Sequence, residues 1–268
     1  MTNELQGFDP KATYSAAAED YERASPRYWQ FLSSRTIDRL SLQPADCVLD
    51  AACGTAPATI AAGRRVSPTG AVVGVDFSEG MLAIARRNVA AAGLRNVELV
   101  TGDMCALPYT EEFDAVVCVL GIFFVEDMAV AARTLWRAVR PGGQLAVTTF
   151  GAEVWTPVLQ HFVTRAGQAR PDIERVLPWR RTEDPAALQR ALDDGGVSGV
   201  RMETEVVDIP FVADDWRAIV MGSGLRRIAV DLGDAFEDVL ADTVRWIHAQ
   251  RITSVRVGVN YASARKAA

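Results

Sequence analysis

Histidine and cysteine, two side chains that often bind metals, are scarce in this 268-residue sequence, which contains two histidines and four cysteines. No Cys-x-x-Cys pair occurs among the cysteines, which are Cys47, Cys53, Cys105 and Cys118. A zinc site needs clustered ligands, so we expect no metal. Isolated cysteines also favour a reducing compartment, and we expect a cytoplasmic location.

Long apolar runs and a surplus of positive charge are missing as well. No apolar run reaches the roughly 18 residues that a membrane-spanning helix needs. The first residues, MTNELQGFDPKATYS, lack the basic and apolar leader that is typical of secretion. The formal net charge of −6 disfavours a nucleic-acid partner held by phosphate neutralisation. We therefore expect a small-molecule partner, no nucleic acid and no membrane span, and the sequence leaves a homodimer open.

The middle of the chain alternates short apolar runs with helical patterns. Hydrophobic residues make up 49% of the sequence, which supplies a core for one large domain. The apolar runs predict buried strands at 45–52, 71–76, 96–101, 113–120 and 144–150. Strands that alternate with helices predict a parallel sheet covered by helices on both faces.

Local signals mark the ends of the intervening helices. Thr55 is predicted to cap the first of them, with Pro57 in its first turn, and Ser78 to cap the second, which ends at Gly93. A helix over 128–139 is predicted to stop at the Pro-Gly-Gly sequence that follows it.

Beyond residue 151 the pattern changes to cap-like helices and two further strands. Strands are predicted at 206–211 and 255–261, with helical patterns between them. One helical face is predicted to carry Val154, Trp155, Val158, Leu159 and Phe162. We interpret the whole as one Rossmann-like, doubly wound domain with a mostly parallel seven-stranded sheet and a helical cap. Its parts are N-terminal lid helices (1–44), a ligand-binding core (45–151), and cap helices with the closing strands (152–268).

The stretch VLDAACGTAPATI, at 48–60, places small residues where a parallel sheet binds ligands, beyond the carboxyl ends of its strands. Asp50 ends the first strand and Asp76 ends the next. A carboxylate at residue 76 can accept hydrogen bonds from both hydroxyls of a ribose, although a turn or helix cap also accounts for such an aspartate. The loop does not fit the Gly-x-Gly-x-x-Gly pattern of dinucleotide folds, since Ala52 and Ala56 flank its one glycine, Gly54.

Five motifs in order resemble those of the class I S-adenosylmethionine-dependent methyltransferases. They are VLDAACGTA, VVGVDFSEGMLAIAR, VTGDMCALPY, FDAVVCVLGIFFVEDM and LWRAVRPGGQLAVTTF. The resemblance covers roughly 8–151 and points to the small-molecule branch that modifies quinones and natural products. It implies S-adenosylmethionine as cofactor, with Asp76 on the ribose, Met81 and Met104 against the adenine, Asp103 on the adenine amino group, and Leu120 near the amino-acid tail. The full set of implied cofactor residues is Tyr14, Tyr21, Asp50, Ala51, Ala52, Cys53, Gly54, Asp76, Phe77, Met81, Gly102, Asp103, Met104, Val119 and Leu120.

The loop departs from the family at Ala52 and Ala56, where the family usually has glycine. An alanine costs little there if its φ angle is negative, whereas a positive φ implies strain of about 1–3 kcal/mol.

The N-terminal segment carries Tyr14 and Tyr21, seven residues apart and thus on one helical face. Their rings suit attraction to a sulfonium, or alternatively packing on the core. The glycine-containing turn at 221–227 is expected to border the active site.

The expected reaction is transfer of a methyl group to a small, apolar or aromatic acceptor, with oxygen, nitrogen and carbon all left open. Residues expected to bind the acceptor are Phe123, Phe124, Trp155, Trp179 and Met221. His161 is the candidate general base, although alignment of the reactants alone can suffice. Two alternatives stay open: a non-methylating reaction such as cyclisation in the same cofactor site, and a non-catalytic cofactor-binding protein.

Overall fold

A single mixed sheet organises the chain, which a computed structural model describes for residues 8–268. The first seven residues of the predicted lid segment lie outside the described residues. Along the chain the strands are β1 Cys47–Ala51, β2 Ala71–Asp76, β3 Val97–Thr101, β4 Phe113–Val119, β5 Val139–Phe150, β6 Arg201–Pro210 and β7 Ser254–Arg265. Their order across the sheet is β3-β2-β1-β4-β5-β7-β6. All pairs from β3 to β5 are parallel, and β7 pairs antiparallel with both β5 and β6.

Helices cover both faces of this sheet. They are α1 Pro10–Ala24, α2 Trp29–Ile37, α3 Pro57–Val66, α4 Glu79–Ala91, α5 Met128–Ala138, α6 Val158–Ala169, α7 Pro185–Asp194, α8 Asp215–Met221, α9 Arg226–Leu232 and α10 Phe236–Ala249. The mostly parallel, doubly wound architecture that the sequence predicts is therefore confirmed. Among residues 8–268, none of the helices combines the length and the apolar character that crossing a membrane requires.

Alternating residues of the central strands fill two separate cores. Val48 of β1 faces a cluster with helices α2 and α3, while its neighbour Leu49 faces a cluster with helices α5 and α7. All of these positions are less than 10% exposed. Strands buried on both faces read as continuous apolar runs, which is why the sequence shows β1, β2 and β4 so clearly.

Two predicted helix ends are wrong. Thr55 does not cap α3, because Ala56 occupies the cap position and makes no side-chain hydrogen bond there. Helix α5 ends at Ala138, and the Pro-Gly-Gly sequence lies inside β5 instead of before it. Gly142 takes a φ of +77° at an irregularity in the β4–β5 pairing, and its N–H bonds to Lys266 at the chain's last strand. The glycine therefore shapes a bulge within the strand.

Other boundaries shift without changing the topology. Strand β6 begins at Arg201, five residues before the predicted start, and β7 continues past residue 261 to Arg265. Helix α6 begins only at Val158, so Val154 and Trp155 precede it, although both are buried in the same cluster as the helix. Ser78 and Gly93 mark the start and end of α4 as predicted.

Candidate functional site

A cavity lies beyond the carboxyl ends of β1, β2 and β4. Its first side, here called the sheet wall, consists of Ala52, Gly54, Asp76, Phe77, Val119 and Leu120. Its second side, the aromatic wall, consists of Trp29, Phe123, Phe124, Phe150, Trp155 and Trp179. A third group covers them from α1, α4 and the turn after α8, namely Tyr14, Tyr21, Met81, Ser223 and Gly224. Gly121 lies where the two walls meet.

Asp76 links the loops that follow β1 and β2. Its Oδ2 accepts a hydrogen bond from the Gly54 N–H at 2.9 Å, and its Oδ1 accepts one from the Ser78 N–H at 2.9 Å. Burial raises the pKa of this carboxyl above its ordinary value, while the backbone donors at Ser78, Gly54 and Phe77 oppose the shift. Each carboxylate oxygen can accept a further bond, so Asp76 retains acceptor capacity toward the cavity.

The loop after β1 takes a left-handed conformation at three alternate residues. The φ angles are +62° at Ala52, +57° at Gly54 and +74° at Ala56. Positive φ at an alanine costs about 1–2 kcal/mol, so both departures from the usual glycine are strained. A side chain at Gly54 would meet Met81 and Tyr21 at 3.7 Å, so the backbone there stands close to both.

Asp50 is buried beneath this loop. The Thr59 hydroxyl donates to its Oδ2 at 2.6 Å, while its Oδ1 is buried without a hydrogen-bond partner among the described residues. Burial raises the pKa of the Asp50 carboxyl to about 7, against the lowering effect of the Thr59 bond. Asp50 and Cys53 line a smaller cavity beside the main one, which Tyr21 and Trp29 also border.

Helix α1 brings two tyrosines over the site. Tyr21 stacks on Trp29 with ring centroids 5.1 Å apart, and Tyr14 packs edge-on against Phe124 at 5.0 Å. Burial raises the pKa of both phenols above the ordinary value, so the hydroxyls stay protonated near neutral pH. Neither tyrosine is therefore suited to act as a general base.

The N-terminal helix is fastened to the cap by close packing and charge. At Gly222, an added Cβ would lie 2.4 Å from the Tyr21 backbone nitrogen, so only glycine permits this approach. An ion pair joins Arg226 to Asp20 at 3.5 Å, and Arg27 pairs with Asp215 of α8. The 221–227 turn borders the cavity through Ser223 and Gly224, in line with its expected position.

The aromatic wall is built from residues far apart in the sequence. Trp155 contacts Trp29 and Phe150 with ring centroids 5.5 Å apart in each case, and it contacts Trp179 at 6.3 Å. The backbone of Trp155 has φ +46°, a conformation that bulky residues rarely adopt. Such strain persists where the surrounding packing enforces it and is concentrated at functional sites.

The structure brings most of the proposed residues together, but not all. Six residues that the resemblance implies do not line the main cavity, namely Asp50, Ala51, Cys53, Gly102, Asp103 and Met104, although Asp50 and Cys53 line the smaller cavity beside it. Asp103 is exposed, and its carboxylate accepts a bond from the Cys105 N–H at 2.8 Å. Met221 is also absent from the lining, although it packs at the edge of the aromatic cluster.

His161, the candidate general base, does not line this cavity. Its ring stacks on Trp246 of α10 with centroids 4.3 Å apart, and its Nε2 lies 3.3 Å from Asp242. The apolar stripe of α6 turns toward the core, whereas His161 stands on its flank and faces α10.

Sequence reasoning did not assign Trp29, Gly121, Phe150, Ser223 or Gly224 to the site. The last two lie in the turn that was expected to border it. Trp29 and Phe150 look like ordinary core aromatics in sequence. Gly121 lies within the fourth motif, directly after Leu120, and an added Cβ there would lie 2.6 Å from the Ala52 Cβ.

Comparisons with known proteins agree with this geometry. Residues 48–143 match a family model described as a methyltransferase domain. The demethylmenaquinone methyltransferase of Listeria monocytogenes is 36% identical over 138 residues, which cover 47% of this chain and 58% of that relative. The match thus spans little more than half of the relative's length.

Solved structures share the fold at low identity. The YcgJ protein of Bacillus subtilis superposes with a TM-score of 0.60 at 18% identity, over 89% of this chain and 99% of that one. A Haemonchus contortus phosphoethanolamine N-methyltransferase, solved with S-adenosyl-L-methionine, gives a TM-score of 0.60 at 18% identity, over 100% of this chain and 61% of that one. The chain thus shares the fold of these structures, and its residues 48–143 resemble a methyltransferase domain.

Proposed function

We propose that this protein transfers a methyl group from S-adenosylmethionine to a small apolar or aromatic acceptor, as an enzyme of class EC 2.1.1. One observation carries the proposal: a single cavity joins a loop-bound carboxylate, Asp76, to a wall of six aromatic rings. The first suits a nucleoside and the second suits an apolar ring. Asp76 and three of the rings belong to the core segment predicted from the sequence. Trp29 belongs to the predicted lid segment, and Trp155 and Trp179 belong to the predicted cap segment.

The residues of the sheet wall fit the cofactor. Asp76 has acceptor capacity left for ribose hydroxyls, and Gly54 holds bare backbone at the cavity. Met81 belongs to the group that covers the walls, and its apolar side chain suits an adenine ring. When bound, S-adenosylmethionine supplies an electrophilic methyl group on a sulfonium. The rings of Tyr14 and Tyr21 are suited to lie near that positive charge, since their raised pKa values keep them neutral.

The cavity lining bears on how the acceptor is activated. Among the described residues that line it, the titratable groups are Tyr14, Tyr21 and Asp76, and none of the lining residues is histidine, lysine or arginine. We infer that the protein acts chiefly by aligning the acceptor and excluding water, and that the acceptor is acidic enough to lose its proton without a strong base. The names of the demethylmenaquinone methyltransferase relatives support a quinone-like ring as acceptor.

Binding of the cofactor is the first test. We expect calorimetry to show binding of S-adenosylmethionine and S-adenosylhomocysteine, but not of NAD. Asp76→Ala should weaken that binding at least hundredfold, since it removes charged hydrogen bonds worth about 1.5–3 kcal/mol each. Asp184→Ala is the matched control, because that carboxylate is exposed, does not line the cavity and accepts a bond from the Ala186 N–H of its own turn. Unchanged affinity in Asp76→Ala would refute the assignment.

Turnover is the second test. The parent protein is incubated with labelled S-adenosylmethionine and a panel of phenols and quinones. Label in the product supports methyl transfer, and its position identifies oxygen, nitrogen or carbon as the acceptor atom. A converted product without label points to a non-methylating reaction such as cyclisation. Tight cofactor binding without any product points to a non-catalytic protein.

A further inference from the structure

Two tryptophans of the aromatic wall carry polar groups that the protein leaves without partners. The indole nitrogens of Trp29 and Trp155 are buried and have no hydrogen-bond acceptor among the described residues. Both residues line the cavity, and both are buried: Trp29 is 4% exposed and Trp155 is 1% exposed. Leaving a buried donor unpaired costs about 1–3 kcal/mol, so a native structure seldom does so without reason.

The two indoles are neighbours held in place by the rest of the wall. Their ring centroids are 5.5 Å apart and their planes nearly perpendicular, at 86°. Trp29 is further fixed by stacking on Tyr21, and Trp155 by contacts with Phe150 and Trp179. Trp155 also bears the strained backbone described above, with φ +46°. The packing thus maintains a costly conformation and an unpaired donor at one residue of the cavity.

An indole N–H can only donate, so its partner must be an acceptor atom. None of the cavity-lining residues described is a lysine, arginine or histidine, and the one carboxylate, Asp76, is bonded to backbone N–H groups. A neutral oxygen therefore suits the wall better than an anion does. The surrounding rings favour an apolar or aromatic body on the molecule that bears this oxygen.

We propose that the acceptor substrate carries a carbonyl or comparable neutral oxygen on an apolar ring system, and that the indole N–H groups of Trp29 and Trp155 donate hydrogen bonds to it. The inference deepens the proposed function and rests on it for the identity of the molecule as a methyl acceptor. The donors are specificity determinants: they select ring ketones or quinones over hydrocarbons of the same shape.

Two other tryptophans provide matched controls. Trp179 lines the same cavity, but its nitrogen is not among the buried unpaired atoms. Trp216 has a buried unpaired nitrogen, but it does not line the cavity and packs against Phe162 and Phe211 instead. Trp179→Phe changes the cavity lining without removing one of these unpaired donors, and Trp216→Phe removes an unpaired donor outside the cavity lining.

The test compares binding of 1-tetralone and tetralin, which differ by one ring carbonyl, to the full-length protein. Titrations are followed by calorimetry, with and without S-adenosylhomocysteine. One hydrogen bond of about 1 kcal/mol corresponds to about fivefold in affinity, so the parent should prefer the ketone at least fivefold. The preference should fall below twofold in the double variant W29F/W155F and stay near the parent value in W179F and W216F.

Equal affinity of the parent for both probes, binding of neither, or a preference that survives in W29F/W155F would overturn the proposal. Because the experiment measures probe binding, its result is separate from the test of the proposed function. If the protein prefers the ketone but neither binds nor uses S-adenosylmethionine, the proposed function is refuted and the hydrogen bonds from the two indoles are not.

A second measurement covers the case in which the double variant does not fold. The chain has six tryptophans, whose indole N–H signals can be followed by NMR after nitrogen-15 labelling of the parent protein. The signals that disappear in W179F and W216F identify Trp179 and Trp216. We expect 1-tetralone to move two of the other signals downfield, and we expect tetralin to move none downfield. The absence of any such ketone-specific shift would overturn the proposal.

Discussion

The sheet wall of the cavity is fixed by hydrogen bonds between adjacent loops, whereas the aromatic wall is fixed by ring packing between distant segments. Gly54 and Ser78, which bond to Asp76, come from the two loops that follow neighbouring strands. Trp29, Phe150, Trp155 and Trp179 come from α2, β5, the segment before α6 and a short 3₁₀ turn at Pro178–Thr182. Short-range bonds set precise positions for a few polar atoms, and long-range packing sets the shape of a surface.

The difference also appears in how each wall stores strain. On the sheet wall, strain lies in the backbone of Ala52 and Leu120, with φ +62° and +56°. On the aromatic wall it lies in the left-handed backbone of Trp155, and a second cost is the Trp155 indole nitrogen, which has no hydrogen-bond partner among the described residues. Glycine can relieve the backbone strain on either wall, whereas the cost of the indole nitrogen is relieved by an acceptor atom of a ligand or by a ring that lacks the N–H.

The largest effect is expected at the seam of the two walls, in Gly121→Ala. The φ of Gly121 is −115°, so the change adds no backbone strain, but its new Cβ would lie 2.6 Å from the Ala52 Cβ. Such overpacking should lower the free energy of unfolding by about 1–3 kcal/mol. Urea unfolding measures it.

Ala52→Gly provides the partner for a double-mutant cycle with Gly121→Ala. Removal of the Ala52 methyl leaves the new side chain with contacts at 3.2 Å to Cys118 and 3.4 Å to Met104. More than half of the lost stability should therefore return in the double variant. Strict additivity of the two single changes would show that the walls do not meet at these methyl groups.

The next largest effect is expected for Asp50→Asn, which tests the buried carboxyl beneath the sheet wall. The pKa of Asp50 is about 7 in the folded protein against an ordinary value of 3.8, so the folded state binds the proton more tightly. Its contribution to stability is therefore present at low pH and is lost as the pH rises from about 4 to 7. Between pH 5.5 and 8, the free energy of unfolding of the parent should fall on the order of 1–2 kcal/mol further than that of Asp50→Asn.

Denaturant unfolding of both proteins at the two pH values checks this prediction. Asparagine still offers an acceptor to the Thr59 hydroxyl, so the variant should fold. Thr59→Val is the control, because it removes that hydroxyl and keeps the carboxyl. Parallel pH profiles of the parent and Asp50→Asn would mean that Asp50 does not titrate in this range.

A smaller gain is expected for Ala52→Gly alone. Relief of the left-handed alanine, less the entropy that glycine adds to the unfolded chain, should raise the free energy of unfolding by about 0.5–1 kcal/mol. Thermal unfolding measures the gain. Affinity for S-adenosylmethionine should change by less than tenfold, and a change above a hundredfold would show that the methyl group seats the cofactor.

Ala56→Gly is the matched comparison. Ala56 has the same left-handed backbone, but it is fully buried against Ala85 and Val89. Loss of that buried methyl group costs about 0.8 kcal/mol and offsets the relief. We therefore expect Ala56→Gly to gain less than Ala52→Gly, and a larger gain would contradict this account.

The smallest effect is expected for His161→Ala, outside both walls. Loss of its stacking on Trp246 and of its contact with Asp242 should lower stability by about 1 kcal/mol or less. Methyl transfer should stay within about twofold of the parent at saturating substrate. A tenfold loss of turnover with unchanged stability would restore His161 as a candidate base.

The contrast between the walls explains what could be predicted from the sequence. Asp76 ends β2, Leu120 directly follows β4 and Gly54 lies in the loop after β1, so a local pattern together with the rule for parallel strands places them at one edge. The Ser78 cap of α4 depends on the same local logic. These positions need no knowledge of distant contacts.

Four residues of the aromatic wall were predicted to bind the acceptor, whereas Trp29 and Phe150 join it through contacts that no local pattern encodes. Trp29 looks like a core residue of an amphipathic helix, and only the packing of α2 beside the cavity makes it part of the site. Thr55 failed as a cap because the left-handed turn at Ala56 starts α3 one residue later. The contact of His161 with α10 could not be predicted either, because only the placement of α10 decides which flank of α6 is covered.

Strand β7 comes after every other strand in the chain, yet it lies between β5 and β6 in the sheet. During translation, β6 therefore has no sheet partner until residues 254–265 have left the ribosome, and β5 has its partner on one side only. The aromatic wall borders this late-closing half of the sheet through Phe150. Closure of this half of the sheet must therefore wait for β7, whereas the loops of the sheet wall can form as soon as β1, β2 and β4 have emerged.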